Sequence, residues 1–160
     1  ENANPLYLSY LTHFERFEPV PARKTLASAI QIGNPVSIRK AIATLQRFDG
    51  VVEQASELEL AEEVARADRT GMFNCPHTGV ALAALRKLVE RKVIHGHERV
   101  VVISTAHGLK FADQKIAYHA GTLEGIQGTQ CNRPVGVSAN PKQISDAISR
   151  YVERMRLLDS

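Results

Sequence analysis

Ser104-Thr105-Ala106-His107-Gly108 stands directly after the β-branched run Val100-Val101-Val102-Ile103, and it gathers two hydroxyls and an imidazole within a few residues. A short apolar run that stops at a Gly-containing turn reads as a buried, parallel strand that delivers its last polar residues to the carboxyl edge of a sheet, where open α/β sheets bind ligands. A hydroxyl on Ser104 or Thr105 can give one neutral hydrogen bond to a ligand ring nitrogen without protonating it. His107 can act as acid or base near neutral pH, or it can serve only as a local hydrogen-bonding residue of the turn. The plain alternative for the whole stretch is strand, turn and helix cap.

Cys75-Pro76-His77 places a thiol and an imidazole two positions apart. Two donors at this spacing cannot close a tetrahedral zinc site, and no further Cys or His cluster supplies the missing ligands, so no metal is expected. A Cys–His nucleophile pair needs a facing geometry that adjacent loop positions rarely provide. The segment reads instead as a helix start, with Thr78 or Asn74 as the capping group and Cys75 at a sheet edge. Cys75 and Cys131, the two cysteines of the chain, are expected to be free thiols in a reducing compartment.

The elements that must position these groups follow from apolar spacing and punctuation. Leu6 to Phe17 has a loosely helical pattern ended by Pro19 and Pro21. Thr25 to Gly33 is rich in small residues and reads as a loop or short strand. Asn34-Pro35 is a cap and first-turn pair for a helix to Gly50 with Ile38, Ile42 and Leu45 on one face. Ser56 and Glu59 fit a capping box for a helix to about Asp68. His77 to Glu90 puts Val80, Ala81, Ala84, Leu85 and Leu88 on one helical face, and the small residues Gly79, Ala81, Ala83 and Ala84 permit close approach of that helix to a neighbour. Val51-Val52, Met72-Phe73 and Val100–Ile103 are strand candidates between these helices, an alternation that predicts α/β layering.

After His119 the glycines Gly121, Gly125, Gly128 and Gly136 with Pro134 and Pro141 mark a connector. Val135 and Val137 can form a brief strand in it. Ile144, Ile148, Tyr151, Val152 and Met155 give a final amphipathic helix. The chain divides accordingly into residues 1–120 and an appendage, residues 121–160.

The 160 residues, 44% hydrophobic, suffice for one ordinary core. Lys and Arg number 20 against 17 Asp and Glu, and they are spread along helical faces such as Arg86-Lys87 and Arg91-Lys92. With no basic run and no interleaved aromatics, no nucleic-acid partner is expected. No apolar run approaches a membrane span, and residues 1 to 20 lack the order of a signal peptide. Glu1-Asn2-Ala3-Asn4-Pro5 opens without Met or any lead-in, so the expectation is a chain that starts inside a larger polypeptide.

Three motifs in order, Leu26-Ala27-Ser28-Ala29-Ile30-Gln31-Ile32-Gly33-Asn34-Pro35, Gly71-Met72-Phe73-Asn74-Cys75-Pro76-His77-Thr78-Gly79-Val80-Ala81-Leu82 and Ser104 to Lys110, closely resemble the C-terminal part of threonine synthase, in the plant-like branch of those pyridoxal-phosphate enzymes. The resemblance runs from Asn2 to about His119 and fades after it. It implies an α/β fold, the C-terminal part of the large sheet-and-helix domain of a fold-type-II, tryptophan synthase β-like enzyme. It implies pyridoxal 5'-phosphate as cofactor and conversion of O-phospho-L-homoserine and water to L-threonine and phosphate by β,γ-replacement.

By the same resemblance Thr105, with Ser104 one register away, is the hydroxyl that meets the cofactor's pyridine nitrogen, and Ala29 and Ile30 line the ring. His107, Cys75 and Thr78 are pocket candidates; some family members carry a carboxylate where Cys75 stands. The family's Schiff-base lysine and its Gly-Asn-rich phosphate loop are expected before Glu1, and Lys24 and Lys110 stand outside the family's lysine motif. No catalytic residue is therefore assigned within the 160 residues, and the chain alone is expected to be inactive. The implied partners are the N-terminal part of the enzyme and a second copy in a homodimer, in the cytoplasm or, in a plant, the plastid stroma. A threonine or serine dehydratase and a non-catalytic regulatory fragment are the alternatives; Thr105-Ala106-His107-Gly108-Leu109-Lys110 favours the synthase.

Overall fold

Ser56 and Glu59 close a reciprocal capping box: the Ser56 backbone N–H donates to Glu59 Oε2 at 2.7 Å and the Glu59 N–H donates to Ser56 Oγ at 3.2 Å. Two otherwise orphaned donors are thereby satisfied, and helix α3 runs Glu57–Asp68 in the computed structural model. The model describes residues 1–158; the side chains of Met155 and Leu158 lie outside the described set. Before α3 come α1, Pro5–Leu11, and α2, Ile38–Arg47. After it come α4, Pro76–Glu90, α5, Ala112–Ala120, and α6, Pro141–Leu158. Two 3-10 turns, Ser28–Ile30 and Gly108–Phe111, complete the order.

The core is the packing of α3 on α4. Gly79 sits at the contact: a Cβ there would lie 2.5 Å from Leu60 O and 2.5 Å from Val64 Cγ2, so only glycine admits this approach. Ala55, Leu60 and Ala83 form one buried cluster, and Ala61, Ala65, Tyr118 and Ile126 another, on the side of α3 that faces α5 and the connector. Gly79→Ala is expected to lower stability by about 1–2 kcal/mol, because overpacking of about 1–3 kcal/mol outweighs the helix preference for alanine. Thermal unfolding of the variant checks this, and an unchanged midpoint would contradict it.

Several sequence expectations are corrected. The buried residues of α4 are Pro76, Thr78, Gly79 and Ala83; of the expected Val80, Ala81, Ala84, Leu85, Leu88 stripe, Val80 packs on the Leu60 cluster, Ala84, Leu85 and Leu88 are half-buried and Ala81 is exposed. The small residues decide the face because they permit the shorter interhelical distance. Helix α1 ends at Leu11, where His13 and Phe14 take positive φ of 52° and 64° and turn the chain well before Pro19. Helix α2 starts after Ser37 rather than at Asn34-Pro35.

The alternation of helices with strands is not realised among the described residues, which form no regular strand. Val51-Val52, Met72-Phe73, Val100–Ile103, Val135 and Val137 have no ladder partner. The one β pairing is an isolated antiparallel bridge between Asn74 and His107. A strand exists only by pairing, and the β-branched runs do not meet one another; Val101 is 90% and Ile103 77% exposed.

Candidate functional site

The bridge between Asn74 and His107 draws residues 104–108 against the N-terminus of α4, and Gly108 N–H donates to Phe73 O at 2.8 Å. Gly108 is pressed between both segments: a Cβ would lie 2.8 Å from Asn74 O and 2.8 Å from Phe73 Cδ1. Lys115 on α5 supports the junction from below. Its ammonium pairs with Asp68 Oδ2 at 2.5 Å and lies 4.1 Å from the Phe73 ring centre, while Asp68 Oδ1 accepts the Asn74 N–H at 3.2 Å. Neither Asp68 nor Lys115 stood out in the sequence, since 47 residues separate them.

Around that junction Asn74, Cys75, Thr78, Ser104 and Thr105 meet. Cys75, fully buried, takes the N-cap position of α4 that Thr78 or Asn74 was expected to fill. Its Sγ lies 3.3 Å from Thr78 Oγ1 and 3.9 Å from Thr105 Oγ1. Thr78 Oγ1 is 3.1 Å from Ser104 Oγ, which donates to Asn74 Oδ1 at 3.1 Å. A hydroxyl has a single proton. With Ser104 donating to Asn74, Thr78 donates to Ser104 and the Cys75 thiol to Thr78. When Cys75 ionises the chain turns round, sulfur accepting from Thr78 and Ser104 donating to Thr78. In either direction the Ser104 proton stays inside the chain. Thr105, exposed and held only by the long sulfur contact, is the hydroxyl with a proton to give a ligand.

Burial raises the Cys75 pKa, but hydrogen bonds from the Thr78 hydroxyl and N–H, from His77 and from Thr105 outweigh it and bring the thiol down to about 6. The stabilisation belonging to this ionised form is fully present above the ordinary thiol pKa and is lost as the pH falls toward about 6. Thiolate absorbance from Cys75 is expected to titrate near that value, and Thr78→Val is expected to move the midpoint upward; an ordinary thiol midpoint in the native protein would contradict the geometry. Cys131 is a separate free thiol that donates to Tyr118 O at 3.1 Å.

The remaining candidates sit as follows. Ala29 and Ile30 form the exposed Ser28–Ile30 turn, which approaches α4 through a hydrogen bond from Ala29 N–H to His77 Nε2 at 2.9 Å. The sequence weighed His77 only beside Cys75, as a metal donor or nucleophile partner, because its hydrogen-bond partner Ala29 is 48 residues away. His107 caps the Gly108–Phe111 turn, its Nδ1 accepting the Leu109 N–H at 3.2 Å, so one of its nitrogens is already used.

The side chains gathered here are hydroxyls, one side-chain amide and the Cys75 sulfur. Among the described residues no carboxylate bonds to these side chains. Hydroxyl donors of this kind can hydrogen-bond an acceptor atom of a ligand without protonating it. No group of three or more His, Cys, Asp or Glu among the described residues could hold a metal ion, and no helix there is long and apolar enough to cross a membrane.

Residues 1–106 match the family described as pyridoxal-phosphate dependent enzyme, which covers most of the chain, and the chain belongs to that family. Within it, the chain is 50% identical over 153 residues to threonine synthase 2, chloroplastic, of Arabidopsis thaliana, covering 95% of this chain and 30% of that protein. It is 33% identical over 117 residues to threonine synthase of Methanocaldococcus jannaschii, covering 72% of this chain and 29% of that protein. Threonine synthase of Mycobacterium tuberculosis is 33% identical over 99 residues, 60% of this chain and 27% of that protein. The chain thus spans about 30% of the length of the relatives it matches. The alignment with the Arabidopsis protein takes in 153 residues and so extends past His119, whereas the family match ends at residue 106.

Proposed function

We propose that these residues form the pyridine-facing wall of a threonine synthase, which converts O-phospho-L-homoserine and water to L-threonine and phosphate. The observation that carries the reading is the exposed Thr105 hydroxyl, whose long 3.9 Å contact to Cys75 Sγ leaves it able to turn its proton to a ligand. Pyridoxal phosphate, when bound, supplies the electron withdrawal that the substrate's α-carbon chemistry needs. This chain's part is to hold and tune it. Thr105 donates to the ring nitrogen and leaves it unprotonated. Ser104, Thr78 and Asn74 fix where the Thr105 backbone lies, and Ala29 and Ile30 border the ring.

The same proposal extends to architecture. The exposed Val101 and Ile103 support residues 100–103 as a strand of a sheet completed by the N-terminal part of the enzyme, which also brings the Schiff-base lysine. Residues 1–120 belong with that sheet-and-helix domain and residues 121–160 are an appendage to it. A homodimer is the assembly this reading carries, in the cytoplasm or the plastid stroma of a plant; the Arabidopsis relative is named chloroplastic.

The test is product analysis on the full polypeptide with pyridoxal phosphate and O-phospho-L-homoserine. Threonine and inorganic phosphate are expected in equal amounts. A 2-oxo acid formed from threonine, with no phosphate release from the phosphoester, would replace the synthase by a dehydratase. No turnover of either substrate would favour a regulatory fragment.

A further inference from the structure

The His77 imidazole accepts a hydrogen bond on Nε2 from the Ala29 backbone N–H at 2.9 Å. Accepting there requires that Nε2 carry no proton, so the neutral ring has its proton on Nδ1. The edge of Phe111 packs on the ring, with centres 5.4 Å apart and planes at 65°, which holds its orientation. His77 is also one of the hydrogen-bonding partners of Cys75, and with Nε2 already accepting from Ala29 the donor it has for that sulfur is Nδ1–H. One side chain therefore joins three separate pieces of chain: the Ser28–Ile30 turn, the first turn of α4 and the Gly108–Phe111 turn.

We propose that His77 is a positioning residue of the cofactor site, whose unprotonated Nε2 holds the Ala29–Ile30 turn at ring distance from the Thr105 hydroxyl while its Nδ1–H faces Cys75. The inference rests on the reading of Thr105 as the pyridine-nitrogen donor and adds what sets the width of the slot. Leu26 and the buried Ala27 anchor the chain just before the turn, but Ala29 and Ile30 are themselves exposed and the bonds inside the turn are local, from Ile30 N–H to Ala27 O at 3.0 Å and from Gln31 N–H to Ser28 O at 3.2 Å. Without the His77 acceptor the Ala29 N–H turns to water and the tip of the turn loses the hydrogen bond that ties it to α4.

The two nitrogens can be separated by substitution. The amide of glutamine reaches the place of Nε2 and offers an acceptor there, whereas that of asparagine reaches only the place of Nδ1. His77→Asn and His77→Gln are compared in the full polypeptide by pyridoxal phosphate affinity, read from cofactor fluorescence, and by the midpoint of the Cys75 thiolate absorbance, taken as the difference from a Cys75→Ser background. His77→Asn is expected to weaken cofactor binding about tenfold, equivalent to about 1.4 kcal/mol, with the Cys75 midpoint near that of the parent. His77→Gln is expected to recover most of that affinity while moving the Cys75 midpoint upward. Equal losses in both variants, or affinity unchanged in His77→Asn, would overturn the role assigned to Nε2. Thr105→Val, run alongside, keeps the two claims apart: a cofactor insensitive to Thr105→Val refutes the site itself, whereas sensitivity to Thr105→Val with indifference to His77→Asn refutes only the part given to His77.

Discussion

Thr105→Val in the full polypeptide is expected to weaken pyridoxal phosphate binding, or turnover, on the order of ten- to a hundredfold. Valine keeps the branched shape and removes the donor, so the ring nitrogen is left without a partner in a desolvated site at about 1–3 kcal/mol, and each factor of ten is about 1.4 kcal/mol. Thr105→Ser restores the hydroxyl and is expected to recover most of the loss. Ser104→Ala is the control that separates neighbouring positions. Because the Ser104 proton is held between Thr78 and Asn74, its removal is expected to cost less than that of the Thr105 hydroxyl. If Ser104→Ala abolished binding while Thr105→Val did not, Ser104 would be the residue that meets the ring.

The largest loss of stability is expected from Lys115→Met. The pair it breaks is nearly closed to solvent, with side-chain exposures of 8% for Lys115 and 12% for Asp68. Removing one member leaves the other as an uncompensated buried charge, at about 3–5 kcal/mol. The damage reaches the site because Asp68 also holds the Asn74 N–H and Lys115 lies over Phe73. Denaturant unfolding measures the loss. The double variant Lys115→Met, Asp68→Asn is expected to regain much of it, since no bare carboxylate remains. A single variant as stable as the parent would show that the pair is solvated in the native protein.

What the sequence disclosed follows the distance over which each feature acts. The Ser56–Glu59 box and the Pro76 start of α4 are settled within four residues, and both were legible. The motif residues Cys75, Thr78, Ser104 and Thr105 were legible as a set through resemblance, although nothing in their spacing says that Thr78 Oγ1 and Ser104 Oγ stand 3.1 Å apart. Contacts between distant segments left no local trace: His77 with Ala29, and Lys115 with Asp68. The α4 face was legible in part. Gly79 and Ala83 were expected to permit close approach and do so against α3, whereas periodicity gave the contact stripe to larger apolar side chains and to Ala81, which is exposed. The strand at Val100–Ile103 shows the opposite limit, since a β-branched run announces the tendency to pair but not the partner.

The central claim is that a neutral hydroxyl, on Thr105, meets the cofactor's ring nitrogen. It is tested most directly by nitrogen-15 NMR of ring-labelled pyridoxal phosphate bound to the full polypeptide. The expected resonance is that of an unprotonated, hydrogen-bonded pyridine nitrogen, displaced toward the free pyridine position in Thr105→Val and returned by Thr105→Ser. A pyridinium resonance, or a signal that Thr105→Val leaves in place, would contradict it.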